Sequence, residues 1–287
     1  MRIGWLSTGR DAAARTLLAE TLRRAQRDRL PLELGIVFCD REPGESEQSD
    51  LFLRLVYEHG LGAMTLSSAA SWRRWREENL GAADDDPARR REARTAWRDT
   101  YHETVVELLE PFAADVLVLA GYMLIVSPAM CARYPMLNLH PALPDGPTGM
   151  WQEVIWELLR TDATATGALI NLVTPELDRG PIVASCSFPI AGPTWDPLWE
   201  DYHRKVAEVG ARAVAESEGE TEPLFARIRR EGERRELPLL YQTVKQFVMG
   251  TLSVVGGRVS RGSETLPLDL TPAVEDDLGL TEEAGKA

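Results

Sequence analysis

Cysteine is scarce. Cys39, Cys131 and Cys186 are odd in number and far apart, which excludes a disulfide framework, and there is no CxxC pair to hold a metal. Cys39 and Cys186 sit in apolar runs and read as core residues. Histidine is also sparse: four residues and no HExxH, so no metal site is expected. The apolar start Met1-Arg2-Ile3-Gly4-Trp5-Leu6 is too short for a secretory signal, and no stretch approaches the length needed to span a bilayer. A reducing cytoplasm is the expected location. Positive charge is in deficit, 32 basic against 45 acidic residues for a net charge of −13. That argues against nucleic acid or an anionic membrane as partner, while leaving room for a local basic pocket that takes an anionic small molecule. Glycine-rich phosphate motifs are missing too: neither GxGxxG nor GxxxxGK[ST] occurs. There are no internal repeats.

What is present is a chain of 287 residues, 44% hydrophobic, enough for one large core with a smaller appendage. Residues 2–6 read as a strand. Ser7-Thr8-Gly9-Arg10-Asp11 turn into a helix over about 12–27, with Ala14, Leu18, Leu22 and Ala25 on one stripe. Such a turn aims backbone N–H groups at whatever lies above it and suits phosphate, although a plain connecting turn fits these residues as well. Leu32 to Cys39 form a second strand. Asp50 is a candidate cap for a helix ending near Glu58, and a short strand follows at Ala63 to Leu66. Residues 67–100 are charged and Trp-bearing. With Asp84-Asp85-Asp86-Pro87 and Arg89-Arg90-Arg91 they read as a surface excursion. Tyr101, Val105, Leu108 and Phe112 mark one helix face. Asp115 to Ala120 look like a central parallel strand, and Ser127-Pro128 open another helix.

Strands alternating with helices up to about residue 160 predict an α/β fold with a doubly wound, mostly parallel sheet. The close late strands, 166–173 and 182–190, predict an antiparallel hairpin at its edge. A long helix is expected from Pro193 to about 217, more helix over 224–250 broken near Pro238, and a small hairpin over 254–270 through Gly256-Gly257. The acidic end from Val274 reads as disordered. These boundaries give three parts: 1–217 as the main domain, 218–270 as a mostly helical extension, and 271–287 as a tail.

One stretch concentrates polar chemistry. Met136-Leu137-Asn138-Leu139-His140-Pro141 is a short buried strand stopped by proline. Asn138 and His140 are two apart, so on a strand their side chains leave from one face, at the strand end where open α/β sheets place their sites. Leu177-Asp178-Arg179-Gly180-Pro181 adds a carboxylate in a turn. Amide, imidazole and carboxylate together could stabilise an oxyanion and move a proton. Taken singly, each also has a plain structural use: a capping Asn, a bonded His, a turn Asp.

The motifs Asp115-Val116-Leu117-Val118-Leu119-Ala120-Gly121-Tyr122-Met123, Ser127-Pro128, Asn138-Leu139-His140-Pro141-Ala142-Leu143-Pro144, Gly167 and Glu176-Leu177-Asp178-Arg179-Gly180-Pro181-Ile182 occur in one order and spacing. In that order the chain resembles the folate-dependent formyltransferase family, most nearly its phosphoribosylglycinamide branch, over roughly residues 1–200. The resemblance implies a Rossmann-type formyltransferase fold and catalytic roles for Asn138, His140 and Asp178. It also implies a pocket for 10-formyltetrahydrofolate lined by Met123, Leu124, Ile125, Val126 and the segment from Val173 to Asp178. Gly9 and Arg10 then become candidates for holding an acceptor phosphate, and Trp151 either a substrate contact or a packing residue. The implied reaction is one-carbon transfer to a primary amine, with glycinamide ribonucleotide of purine biosynthesis first. Another amine such as an amino sugar nucleotide, hydrolysis of the formylfolate, and folate binding without catalysis are the alternatives. The expected partners are thus small molecules; the sequence sets no oligomeric state.

The chain departs from the family pattern in several places. Ser7-Thr8-Gly9-Arg10-Asp11 replaces a more glycine-rich loop, Leu124 stands where an Arg is usual, Asn171 where a His is common, and the loop after His140-Pro141 is shorter. These departures bear on the acceptor more than on the chemistry.

Overall fold

The computed structural model describes residues 1–80, 86–176, 179–255, 258–262 and 266–280. In chain order the elements are β1 (Arg2–Ser7), α1 (Ala12–Arg27), β2 (Glu33–Cys39), α2 (Glu47–Glu58), β3 (Ala63–Thr65), α3 (Ser68–Asn79), α4 (Pro87–Leu109) and β4 (Val116–Leu119). They continue with α5 (Pro128–Arg133), β5 (Met136–His140), α6 (Trp151–Arg160), β6 (Ala165–Leu172), β7 (Ile182–Pro189), α7 (Asp196–Val209), α8 (Ala211–Glu218) and α9 (Pro223–Val248). β8 (Ser253–Val255), β9 (Arg258–Ser260), β10 (Leu268–Asp269) and α10 (Thr271–Asp277) complete the chain.

Eight strands form one sheet in the order β10-β7-β6-β5-β4-β1-β2-β3, and β8 and β9 make a separate two-stranded ribbon. β1 pairs in parallel with β2 and β4, β2 with β3, and β4 with β5, whereas β6 and β7 run antiparallel. This is the doubly wound α/β sheet with an antiparallel edge that strand spacing predicts.

The chain divides into two compact units. The first comprises 1–138, 172–181 and 245–263, and the second 139–171, 182–244 and 264–287. In the first unit β1, β2 and β4 are apolar on both faces: Trp5 and Leu6, Val37 and Phe38, Val118 and Leu119 are all buried. That is the signature of interior parallel strands covered by helices. One face packs Leu6, Phe38, Leu117 and Met136 with Tyr101, Val105 and Leu109 of α4. The core of the second unit gathers Val154, Ile155 and Leu158 of α6, Phe188 of β7, Trp199 and Tyr202 of α7, and Phe225 and Ile228 of α9.

Several expectations are revised. The stretch 67–100 is not an excursion: α3 and the first half of α4 occupy it, and Trp97 is buried, donating from Nε1 to Ser71 Oγ at 3.0 Å. Trp72 stacks on Trp75 and meets Trp97 edge-on, so rings that looked exposed in a charged segment are covering the core. Arg89, Arg90 and Arg91 do form a solvated helix face. Residues 81–85, including Asp84 and Asp85, lie outside the described residues. Asp50 does not cap α2. The helix starts at Glu47, and Asp50 in its first turn accepts the Gly44 amide at 2.8 Å.

The long helix expected over 193–217 is broken at Gly210, whose φ of +86° is a left-handed-region value that terminates α7. α9, conversely, runs on past Pro238 as 26 residues. Its start is fixed by buried Glu222, which accepts the Phe225 amide at 2.8 Å. Residues 218–270 are not a unit of their own but are shared between both units. The acidic end forms α10, where Val274 is fully buried and Gln242 donates to Asp277 at 2.8 Å. Leu268–Asp269 pair in parallel with β7, too short a strand to show in periodicity. The ribbon of β8 and β9 falls where a hairpin is predicted. Its Gly256-Gly257 turn and residues 281–287 lie outside the described residues.

Candidate active site

β4 and β5 lie side by side with Leu119 opposite Asn138, so Asn138 is next to the point where β4 gives way to Ala120-Gly121-Tyr122-Met123. Asn138 is half-buried and His140 buried on the same strand, two residues apart. Pro141 ends the ladder, and Ala142 turns back to bond the His140 carbonyl at 3.0 Å. His140 Nε2 donates to the Pro147 carbonyl at 3.3 Å, tying the imidazole to the 141–149 loop.

The turn expected to carry the carboxylate is closed at its base. Leu172 N–H donates to Pro181 O at 2.9 Å, and Val173 N–H donates to Met136 O at 2.8 Å beside the start of β5. A Cβ on Gly180 would lie 1.6 Å from Leu172 O, so only glycine lets the two strands of this loop approach. Leu177 and Asp178 lie outside the described residues. Asn171, at the end of β6, is buried, and its Oδ1 finds no partner among the described residues.

The four residues after Gly121-Tyr122 divide by direction. Met123 and Ile125 are exposed apolar side chains, 51% and 45%, whereas Val126 is in the core and Leu124 packs partly against it. Met123 and Ile125 can therefore wall a flat ligand; Val126 can offer it only backbone. Val173 also packs against this core.

The β1 turn is more self-contained than its sequence implies. Gly9 has φ +59° and a Cβ there would meet Phe52 at 2.9 Å, so glycine is required twice over. Its N–H donates to Ser7 Oγ at 3.1 Å rather than outward. Asp11 caps α1, accepting the Ala14 amide at 3.1 Å, and sits 3.6 Å from Arg10, both side chains about half exposed. Trp151 lies among side chains: its ring is 5.9 Å from Phe225 and carries the Arg229 guanidinium at 4.3 Å. A depression of about 530 Å³ along α2, near Pro43, Leu53 and Tyr57, carries none of the expected site residues.

Residues 64–216, more than half of the chain, match the family described as Formyl transferase. The chain belongs to that family. Among curated relatives, phosphoribosylglycinamide formyltransferase of Escherichia coli (strain K12) is 33% identical over 104 residues, 35% of this chain and 48% of the relative. The same-named protein of Saccharomyces cerevisiae is 30% identical over 146 residues, 48% of this chain and 64% of the relative. The chain thus spans between about half and two thirds of these relatives. Among solved structures, phosphoribosylglycinamide formyltransferase of Coxiella burnetii is similar with a TM-score of 0.59 at 17% identity, covering 94% of this chain and 98% of that one. A formyltetrahydrofolate deformylase of Pseudomonas syringae gives 0.56 at 19%, covering 91% and 65%. These two likenesses concern the fold.

In this member of the formyl transferase family, sequence reasoning missed a group of buried polar residues at the strand ends of the first unit. Asp40 follows β2, is 3% exposed, accepts from Ser68 Oγ at 2.9 Å and faces the Thr8 hydroxyl. Burial pushes its carboxyl above the usual range, against the pull of the two hydroxyls, and its Oδ1 finds no hydrogen-bond partner among the described residues. Thr8 Oγ1 accepts the Met123 amide at 3.0 Å. His102 on α4 and Tyr122 lie alongside, their nearest atoms 3.2 Å apart. One signal was readable: an Asp directly after an apolar strand, Phe38-Cys39-Asp40, stands where α/β sheets keep functional groups.

Proposed function

We propose that the protein transfers a formyl group from 10-formyltetrahydrofolate to a primary amine, with glycinamide ribonucleotide as the first acceptor to test. The observation that carries this reading is the placement of Asn138 beside the end of β4, where Met123 and Ile125 leave two apolar side chains uncovered. A pterin ring wants apolar walls, and the exposed Met123 and Ile125 side chains can form one.

In this reading the amine nitrogen forms a bond to the formyl carbon, the bond to the folate nitrogen breaks, and negative charge grows meanwhile on the formyl oxygen. The Asn138 amide donates to that oxygen. His140 commits Nε2–H to Pro147, so when protonated it has Nδ1–H left to donate as well. Donors placed where charge develops supply the largest share of many such rate enhancements. Asp178 holds the imidazolium and accepts the proton that leaves the amine, directly or through water, and a proton passes to the folate nitrogen as its bond to the formyl carbon breaks, which balances the transfer.

Turnover assays with 10-formyltetrahydrofolate and a panel of amines test the reading. Asn138→Ala should lower kcat about 100- to 1,000-fold with the fold kept, and Asp178→Asn at least about a hundredfold. Near-wild-type turnover in a folded variant removes that residue from the mechanism. Likeness to deformylases supports a second reading, hydrolysis to formate. Formate release without any amine would establish it instead.

A further inference from the structure

We propose that His102 is a positioning residue for the segment 122–127, one imidazole holding both of its ends so that the exposed side chains between them keep a fixed wall for folate. The inference rests on the folate reading of Met123 and Ile125.

The geometry is specific. His102 is fully buried on α4. Its Nδ1 accepts the Ser127 backbone amide at 3.2 Å, and its Nε2 lies 3.2 Å from the Tyr122 hydroxyl. A backbone N–H can only donate, so Nδ1 carries no proton and the ring's single proton is on Nε2, donated to Tyr122. Burial holds the imidazole pKa down to about 4, so the neutral form that this arrangement needs is the one present near neutrality. Tyr122 begins the segment, and Ser127 ends it as the cap of α5. A third tie, from the Met123 amide to Thr8 Oγ1, fixes the residue after Tyr122.

His102 shares its helix face with Tyr101, Val105 and Leu109, all buried, where another apolar side chain would serve packing equally well. An imidazole there is justified by what its two nitrogens hold. Without it the Ser127 amide and the Tyr122 hydroxyl, on residues only 3% and 7% exposed, would both be buried with a partner lost. Met123 and Ile125 would then be carried on a backbone that keeps its tie through Thr8 but has lost those at Tyr122 and the Ser127 amide.

Two measurements on the full chain test this. The first is amide hydrogen exchange over 122–127 in the free protein; the second is the dissociation constant of a 5-deazafolate analogue. His102→Phe should speed exchange at the Ser127 amide and weaken the analogue about tenfold or more, as expected when two buried hydrogen bonds are lost. His102→Asn keeps an acceptor where Nδ1 stood, and should recover most of both. Val105→Ala, one turn along the same face, should lower stability but move neither readout. Unchanged exchange and affinity in His102→Phe would overturn the proposal. So would equal losses in Val105→Ala, or no recovery in His102→Asn, because either would reduce His102 to a packing residue. If the wild-type protein binds no folate analogue, the folate reading fails and the purpose assigned to the clamp fails with it, while the exchange data still report whether the clamp exists.

Discussion

The molecule places polar side chains at its cores in two ways, and the two units use them to different extents. In the first way, at the strand ends of the first unit, Asp40, Thr8, His102 and Tyr122 are buried, Asp40 accepting from Ser68 and His102 lying against Tyr122, while Asp40 Oδ1 has no hydrogen-bond partner among the described residues. In the second way cations are laid over rings: Arg229 over Trp151, Arg227 over Trp195 and Arg235 over Phe188 in the second unit, and Arg94 over Trp72 in the first. A guanidinium over a ring leaves the charge at the margin of an apolar cluster and tolerates small changes in geometry. A buried carboxylate or imidazole does not, because each lost hydrogen bond exposes a desolvation cost. The second arrangement is a way to be stable. The first is an expensive way to be stable, and it lies where strand ends carry the exposed apolar side chains of the proposed folate wall.

The contrast can be broken at several points. The largest effect should come from the aromatic cluster. Phe225, fully buried between Trp151 and Trp156, when changed to Ala should cost about 3–5 kcal/mol of stability in urea denaturation. Affinity for a folate analogue, per folded molecule, should be unchanged; a parallel loss of affinity would join the two interiors functionally.

A smaller effect should appear as pH dependence. An unfolded His titrates near 6.5, whereas burial holds His102 down to about 4. The unfolded state therefore binds the proton first. His102's contribution is fully present above pH 6.5 and declines as pH falls, until it is gone below about 4. The full decline should be about 3 kcal/mol, and His102→Asn should flatten the slope of stability between pH 7.5 and 5. An unaltered slope would mean that His102 is not held neutral.

Asp40 has the opposite sign. Burial raises its carboxyl, so the folded state binds the proton more readily, and the ionised form is a burden above its folded pKa. Asp40→Asn should raise Tm by a few degrees at pH 8, about 1 kcal/mol, with the gain shrinking as pH falls. No gain at pH 8 would indicate that the hydroxyls of Thr8 and Ser68 already compensate the charge. The smallest effect belongs to Arg10. Half exposed and 3.6 Å from Asp11, it should on change to Ala raise KM for glycinamide ribonucleotide a few-fold, leaving that for the folate and kcat nearly unchanged. An unchanged KM would remove Arg10 from acceptor binding.

Much of the fold is legible in the sequence because parallel strands buried on both faces read as short runs of Val, Leu and Ile between helices. α1 starts at the residue that its Asp cap indicates, and β5 carries Asn138 and His140 on one strand because proline can only follow the ladder, not continue it. The motifs that identify the family are likewise local, each a few residues long and tied to a strand end, so their order survives in the chain.

What the tertiary structure alone decided is which side chains those strand ends spend on packing. Leu124 and Val126 turn toward the core while Met123 and Ile125 stay out, a split that four consecutive apolar residues cannot show. Trp97 belongs to the core although its neighbours in sequence are charged, because α3 folds over it and supplies Ser71 as a partner. Asp40 and His102 stand 62 positions apart in the sequence, and nothing local joins them. They become buried neighbours of one segment only when β2, β4 and α4 pack together, since the partners that make a buried polar group tolerable come from other elements. Local periodicity determines the elements. The cost of burying a polar atom is settled by contacts between them.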